Sequence, residues 1–162
     1  MDNPHTATTK FAADFGAMEY ALKRMPKYRR KNRAIAEADW DAFARDLGQE
    51  FLDHVVKSGA AKTLVGEPPR RLLADMQWDP PNPVPLSNVL QLIVNGVCRV
   101  RNSYFHGEKF TGGPAGQWER DAKLIEEAHT VLKEAQKFAF NQPGSVFSSD
   151  QVAQTRSLSA FI

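Results

Sequence analysis

Apolar positions recur at spacings of three and four along much of this chain, and four segments hold the pattern long enough to specify helices. Phe11, Phe15, Met18 and Leu22, with Ala12 and Ala21 alongside, predict the first over about 10–25. Thr8 or Thr9 would cap it and Pro26 would end it. Trp40, Phe43, Ala44, Leu47, Phe51, Leu52 and Val55 predict the second, from Asp39 to about Ser58. Asp39 and Asp41 suit the positive end of its dipole, and Gly59 suits its close. The third runs from Ser87 to about residue 106, with Leu86, Val89, Leu90, Ile93, Val97, Val100 and Tyr104 as one stripe. Val94, Cys98 and Phe105 widen that stripe, so this helix should be buried around most of its circumference. The fourth, from about Gly116 to Phe138, turns Trp118, Ala122, Ile125, Ala128, Leu132, Ala135 and Phe138 inward. Lys123, Glu126, Glu127, Lys133, Glu134 and Lys137 are expected to face water.

Between the second and third helices the pattern breaks. Gly66, Pro68, Pro69, Pro80, Pro81, Pro83 and Pro85 exclude a long element, and a short helix from about Arg70 to Met76 fits between them. The run from Trp78 to Pro85 reads as a stiff extended connector, packed on the core through Trp78. No stretch alternates as a strand would. Residues 1–9 are polar and expected to fray, and residues 141–162 form a Ser/Gln-rich tail. The expected fold is all-α: one domain over about 10–140, a bundle of four main helices plus a short one.

Composition narrows the function classes only a little. With 162 residues the chain fits one domain, and a formal net charge of +2 gives no global case for nucleic acid. The single cysteine, Cys98, lies in an apolar run and reads as a buried thiol. No Cys/His cluster has zinc-ligand spacing, so neither a metal nor a cofactor is expected. His54 and His129 lie beside apolar stripes and read as structural. No leader or membrane span is evident, which makes the cytoplasm the expected compartment. Charge placement says more than net charge. Lys23, Arg24, Lys27, Arg29, Arg30, Lys31 and Arg33 fall in one run with Tyr28 among them and no acid. Such a run is either a solvated connector or a contact surface for phosphates.

The third helix also carries groups that can do chemistry. Asn88, Gln91, Asn95, Arg99, Asn102 and His106 form one polar row at helical spacing, and such a seam on a buried helix needs water, a ligand or a polar partner. Its end, Arg101-Asn102-Ser103-Tyr104-Phe105-His106-Gly107, brings a permanent cation, an amide and an imidazole together. On an ideal helix Asn102 and His106 lie about 40° apart, but Arg101 and His106 lie about 140° apart. Either the last turn distorts, or two copies of the corner meet across a dimer axis. RNA carries its own nucleophile in the 2′-OH. Cutting it calls for a base, an acid and a cation on the phosphorane. Histidine suits the proton transfers and arginine suits the phosphate. The same residues could equally do no more than cap a helix C-terminus.

Arg101, Asn102 and His106 match, position by position, the Arg-polar-x-x-x-His signature of the HEPN superfamily, and the chain resembles that superfamily over about 10–140. The stretch from Phe15 to Lys23 is also similar to the first helix of several HEPN ribonuclease families. The resemblance implies a bundle that dimerises along the motif-bearing helix. It implies a metal-independent endoribonuclease working in a composite groove, often in toxin–antitoxin or anti-phage settings and sometimes held by an antitoxin or inhibitor protein. In that picture His106 is general base or acid, Arg101 clamps the phosphate and Asn102 orients. Lys27, Arg29, Arg30 and Arg99 are then candidate RNA contacts. One departure stands out: HEPN toxins paired with nucleotidyltransferase antitoxins carry a tyrosine two residues after the histidine, and this chain has Glu108. Control by adenylylation there is not supported. The alternative readings are a non-catalytic HEPN-like module that binds RNA, nucleotide or a protein, and a helical interaction protein whose corner is only a cap.

Overall fold

The computed structural model describes residues 4–105 and 118–141, and it is mostly helical with one two-stranded sheet. Helix α1 spans Pro4–Lys23. It starts well before the expected residue 10, so Thr8 and Thr9 are interior residues rather than caps, and Thr8 is buried. Pro4 takes the first position, where its missing N–H costs nothing. A single 3₁₀ turn, Pro26–Tyr28, follows α1. Helix α2, Trp40–Ser58, begins as expected: the Asp39 carboxylate accepts from the Ala42 N–H at 3.1 Å, and Gly59 closes the helix in the left-handed conformation. All seven residues of its apolar stripe are buried. The pattern does not reveal a kink at Gly48, whose φ of 73° strains any residue with a Cβ. Space is open there, so backbone conformation alone selects glycine.

The segment after α2 departs most from expectation. Helix α3 is Lys62–Gly66, and the expected helix at Arg70–Met76 is absent. In its place Arg71–Leu72 (β1) pairs antiparallel with Trp78–Asp79 (β2). The turn between them is closed by Leu73 N–H to the Gln77 carbonyl and by the Asp75 side chain accepting from the Gln77 N–H. Met76 sits at φ 67° in that turn. Trp78 is exposed, with the Arg70 guanidinium 5.5 Å from its ring centre, so the connector is not anchored on the core through Trp78.

The central helix is composite: α4 (Val89–Gln91), a π-helical stretch (Leu92–Cys98) and α5 (Arg99–Phe105) follow without a break. Its cap is Asn88, which accepts from the Gln91 N–H at 2.8 Å; Ser87 instead donates to the Gln91 side chain. Bonds to the fifth residue widen the turns and re-phase the helix. The row Asn88, Gln91, Asn95, Arg99, Asn102 is therefore not straight, and Leu92 and Gly96 join the buried face. Gly96 allows close approach. A Cβ there would lie 3.2 Å from Leu86 Cδ1 and 3.5 Å from the Leu64 side chain.

Helix α6, Trp118–Asn141, packs against α1, α2, α3 and the central helix. Its buried face centres on Leu124, Ile125, Ala128, Val131, Leu132 and Ala135. Polar ties reinforce the apolar contacts. His129 pairs with Asp14 of α1, so it is structural, and His54 of α2 bonds Glu134 at 3.1 Å. Arg120 holds Glu67 at 3.1 Å. Glu127, expected to face water, is buried instead, accepting from the Leu64 N–H at 2.7 Å and the Thr63 N–H at 3.3 Å. Two backbone donors at the start of α3 give its carboxylate the partners that burial demands. The sequence readings on His106, Gly107, Glu108 and the tail, and on the side chains of Phe105 and Trp118, lie outside the described residues.

Candidate anion-binding site on the central helix

Arg101 and Asn102 both occupy α5, in its first half, but they serve different surroundings. The Arg101 guanidinium lies 5.2 Å from the Phe15 ring centre, over the face of an α1 aromatic. Its Nη1 also donates to Asn102 Oδ1 at 3.1 Å. That bond fixes the amide oxygen toward Arg101 and leaves the Asn102 NH₂ to point elsewhere. Asn102 is exposed and lines a cleft on the other side.

The cleft is about 420 Å³ and lies between β1 with the residue before it and the central helix. Val94, Cys98 and Asn102 supply one row of its helical wall, and Arg99 and Ser103 supply the next, each row stepping by four. Arg70, Arg71 and Leu72 form the facing wall. Arginines at positions 70, 71 and 99 thus line the cleft, and of the other two it is Arg71 whose charge acts on Arg99. One acid answers them: Asp79, bonded to Arg71 at 2.5 Å across the hairpin. Arg70 donates to the Pro81 carbonyl and lies over Trp78. Arg99 donates to the Asn95 amide oxygen at 3.3 Å. Burial, and then the charge of Arg71, lower the Arg99 pKa from its ordinary value, with Asp79 opposing. The guanidinium remains cationic. Its neighbourhood is one that an incoming anion would relieve. Burial also pushes the Cys98 thiol up to about 12, with Glu19 adding to the shift, so Cys98 contributes apolar surface rather than a nucleophile.

Of the expected RNA contacts, only Arg99 lies on this cleft. Lys27 bonds Asp46 at 2.7 Å, beside the buried Tyr28, whose hydroxyl donates to the same carboxylate at 2.6 Å. Arg30 meets Asp41 at 3.5 Å. Arg29 donates to the Lys23 carbonyl at 3.3 Å and lines a separate depression of about 530 Å³ with Lys23, Arg24, Glu19 and Tyr20. The connector folds back on itself, with Arg29 bridged to Ala38 and the Asp39 N–H bonded to the Tyr28 carbonyl, which places its cations against the acids of α2.

The sequence pattern missed Arg70, Arg71 and Ser103. The spacing Arg99 to Ser103 is readable, but the two arginines come into place only through the hairpin, whose two-residue strands are too short to alternate. Among the described residues no group of three or more His, Cys, Asp or Glu is placed to hold a metal ion, and no helix is long and apolar enough to cross a membrane. No protein-family model, curated protein or solved structure matches the chain, so the site is argued from its own residues.

Proposed function

We propose that the protein is a metal-independent endoribonuclease of the HEPN type, in which His106 moves the protons, Arg101 stabilises the phosphorane and Asn102 orients. The observation that carries this reading is the sequence motif Arg101-Asn102-x-x-x-His106, whose first two residues lie on the central helix, with Asn102 lining a cationic cleft. Positive charge lining a concave site favours a polyanionic substrate and raises its local concentration. In the proposed step the 2′-OH attacks the neighbouring phosphorus as its proton leaves to a base. The 5′ oxygen departs with a proton from an acid, and the product is a 2′,3′-cyclic phosphate. Histidine can serve either proton transfer near neutral pH.

The proposed working unit is a homodimer joined along the central helices, each corner facing its copy. Two observations favour it. Arg101, though bonded to Asn102, does not line the cleft that Asn102 lines, so a second copy is proposed to complete the set. The hairpin beside the cleft also leaves Leu73, Met76 and Trp78 exposed, apolar surface that a partner would cover. A toxin–antitoxin or anti-phage role, with a cognate inhibitor, is the proposed setting, and cytoplasmic RNA the proposed substrate. The test is direct: purified protein incubated with RNA in EDTA should leave 2′,3′-cyclic phosphate ends. RNA bound but left intact would favour the non-catalytic module instead.

A further inference from the structure

We propose that the cleft between β1 and the central helix binds a nucleotide phosphate, with Arg70, Arg71 and Arg99 as its cationic wall and Leu72 and Val94 as the surface beneath the attached sugar and base. The proposal deepens the ribonuclease reading and rests on it only for the source of that phosphate: an RNA backbone phosphate close to the one the motif would cut.

Charge balance carries the argument. Three arginines line the cleft with one carboxylate beside them, Asp79, and Arg71 bonds it. The contacts of Arg70 and Arg99 are to a carbonyl, an aromatic face and an amide oxygen, all neutral. Among the described residues neither has a carboxylate within salt-bridge distance. The lining thus carries more positive than negative charge, and a phosphate would balance it. Guanidiniums give the planar forks that phosphate oxygens accept, and partial burial of Arg99 strengthens its bond relative to open solvent. Asn102 and Ser103 add neutral polar groups on the motif side, so a bound phosphate would lie next to the corner. The volume of about 420 Å³ falls in the ordinary range for small-ligand sites, and part of the lining is apolar. A bare inorganic anion would leave that apolar part unused; a nucleotide covers it.

The experiment measures binding to the full-length His106→Ala chain, so that no probe is consumed. The probes are hexauridylate, adenosine monophosphate and a glutamate hexapeptide. Arg99→Gln and Arg71→Gln should each weaken nucleotide binding about tenfold, the usual scale for one charge-assisted hydrogen bond. Arg33→Gln, on the connector, should leave it unchanged, and Arg99→Lys should restore part of the loss. If Arg99→Gln does not fold, Arg71→Gln on the exposed hairpin carries the test. Tighter binding of hexauridylate than of the monophosphate assigns the site to RNA, and equal binding assigns it to a free nucleotide. No binding of either, equal loss in Arg33→Gln, or equally tight binding of the glutamate peptide would overturn the proposal. Binding that follows the arginines while the wild-type chain cuts nothing sinks the ribonuclease reading and keeps the cleft. Cutting with no effect of Arg71→Gln or Arg99→Gln on binding sinks the cleft alone.

Discussion

Two basic regions of this molecule look opposite in sequence and in space. The connector over 23–33 is the densest run of cations in the chain, yet Lys23, Lys27, Arg30 and Arg33 each meet a carboxylate, from Glu19, Asp46, Asp41 and Glu37. The cleft draws its arginines from positions 70, 71 and 99, no more than two of them adjacent, and only Arg71 meets an acid, Asp79. A charge run in a sequence is therefore a poor guide to a charged surface. What matters is whether the fold returns acids to it. Here α2 does so for Lys27 and Arg30, and nothing described does so for Arg70 and Arg99.

The largest expected effect falls on the cleft. Arg71→Gln combined with Arg99→Gln should lower affinity for single-stranded RNA about a hundredfold, at about 1.4 kcal/mol for each tenfold step. It should also make the slope of log affinity against log salt shallower by roughly 1.4, since each lost phosphate contact removes about 0.7 on a single strand. Both are read by anisotropy titrations at several salt concentrations. Unchanged affinity in the double variant would erase the distinction between the two regions.

Next comes the connector, where substitutions should cost stability rather than binding. Asp46→Ala removes the partner of the Tyr28 hydroxyl and of Lys27 together, and should destabilise by about 1–3 kcal/mol in urea unfolding while RNA affinity holds. A pH effect follows from the same bond. Burial, and then Asp46, hold the Tyr28 phenol well above its ordinary value of 10.0. A group raised on folding contributes stability that is fully present below its unfolded pKa and is lost as pH rises toward the folded one. Wild-type stability should therefore decline above about pH 10, and Tyr28→Phe should flatten that decline in alkaline unfolding curves. The smallest effect is assigned to Lys27→Gln and Arg30→Gln. Exposed ion pairs are worth at most about 1 kcal/mol, so each should change stability by less than that and RNA affinity by less than about twofold. A tenfold affinity loss in either would return the connector to the binding surface.

Legibility followed periodicity and locality. The ends and buried stripe of helix α2 were readable because Asp39, the apolar stripe and Gly59 all agree, though the kink at Gly48 was not. Helix α6 was readable in part: its stripe left out the buried Leu124 and Val131, and Glu127 was expected in water, although its carboxylate is buried where the start of α3 meets it, a contact 63 residues away in sequence. The hairpin was unreadable for the same reason: β1 and β2 have two residues each, and proline and charge outweigh any pattern there. The π-helical stretch is also silent in sequence, because LIVNGVC satisfies an α period as well as a wider one. In the candidate site, Arg101, Asn102 and Arg99 were visible from spacing on one helix. Arg70 and Arg71 were not, since only tertiary pairing brings them opposite Arg99.

The central proposal is that this chain cuts RNA by proton transfer at His106. The measurement is the rate at which labelled RNA is cleaved in EDTA by the wild-type chain and by His106→Ala, at equal concentration and with matching unfolding curves. Loss of one general acid–base group should slow cleavage by about 10²- to 10⁴-fold. Equal rates in the two chains, or no cleavage by the wild type, would contradict it.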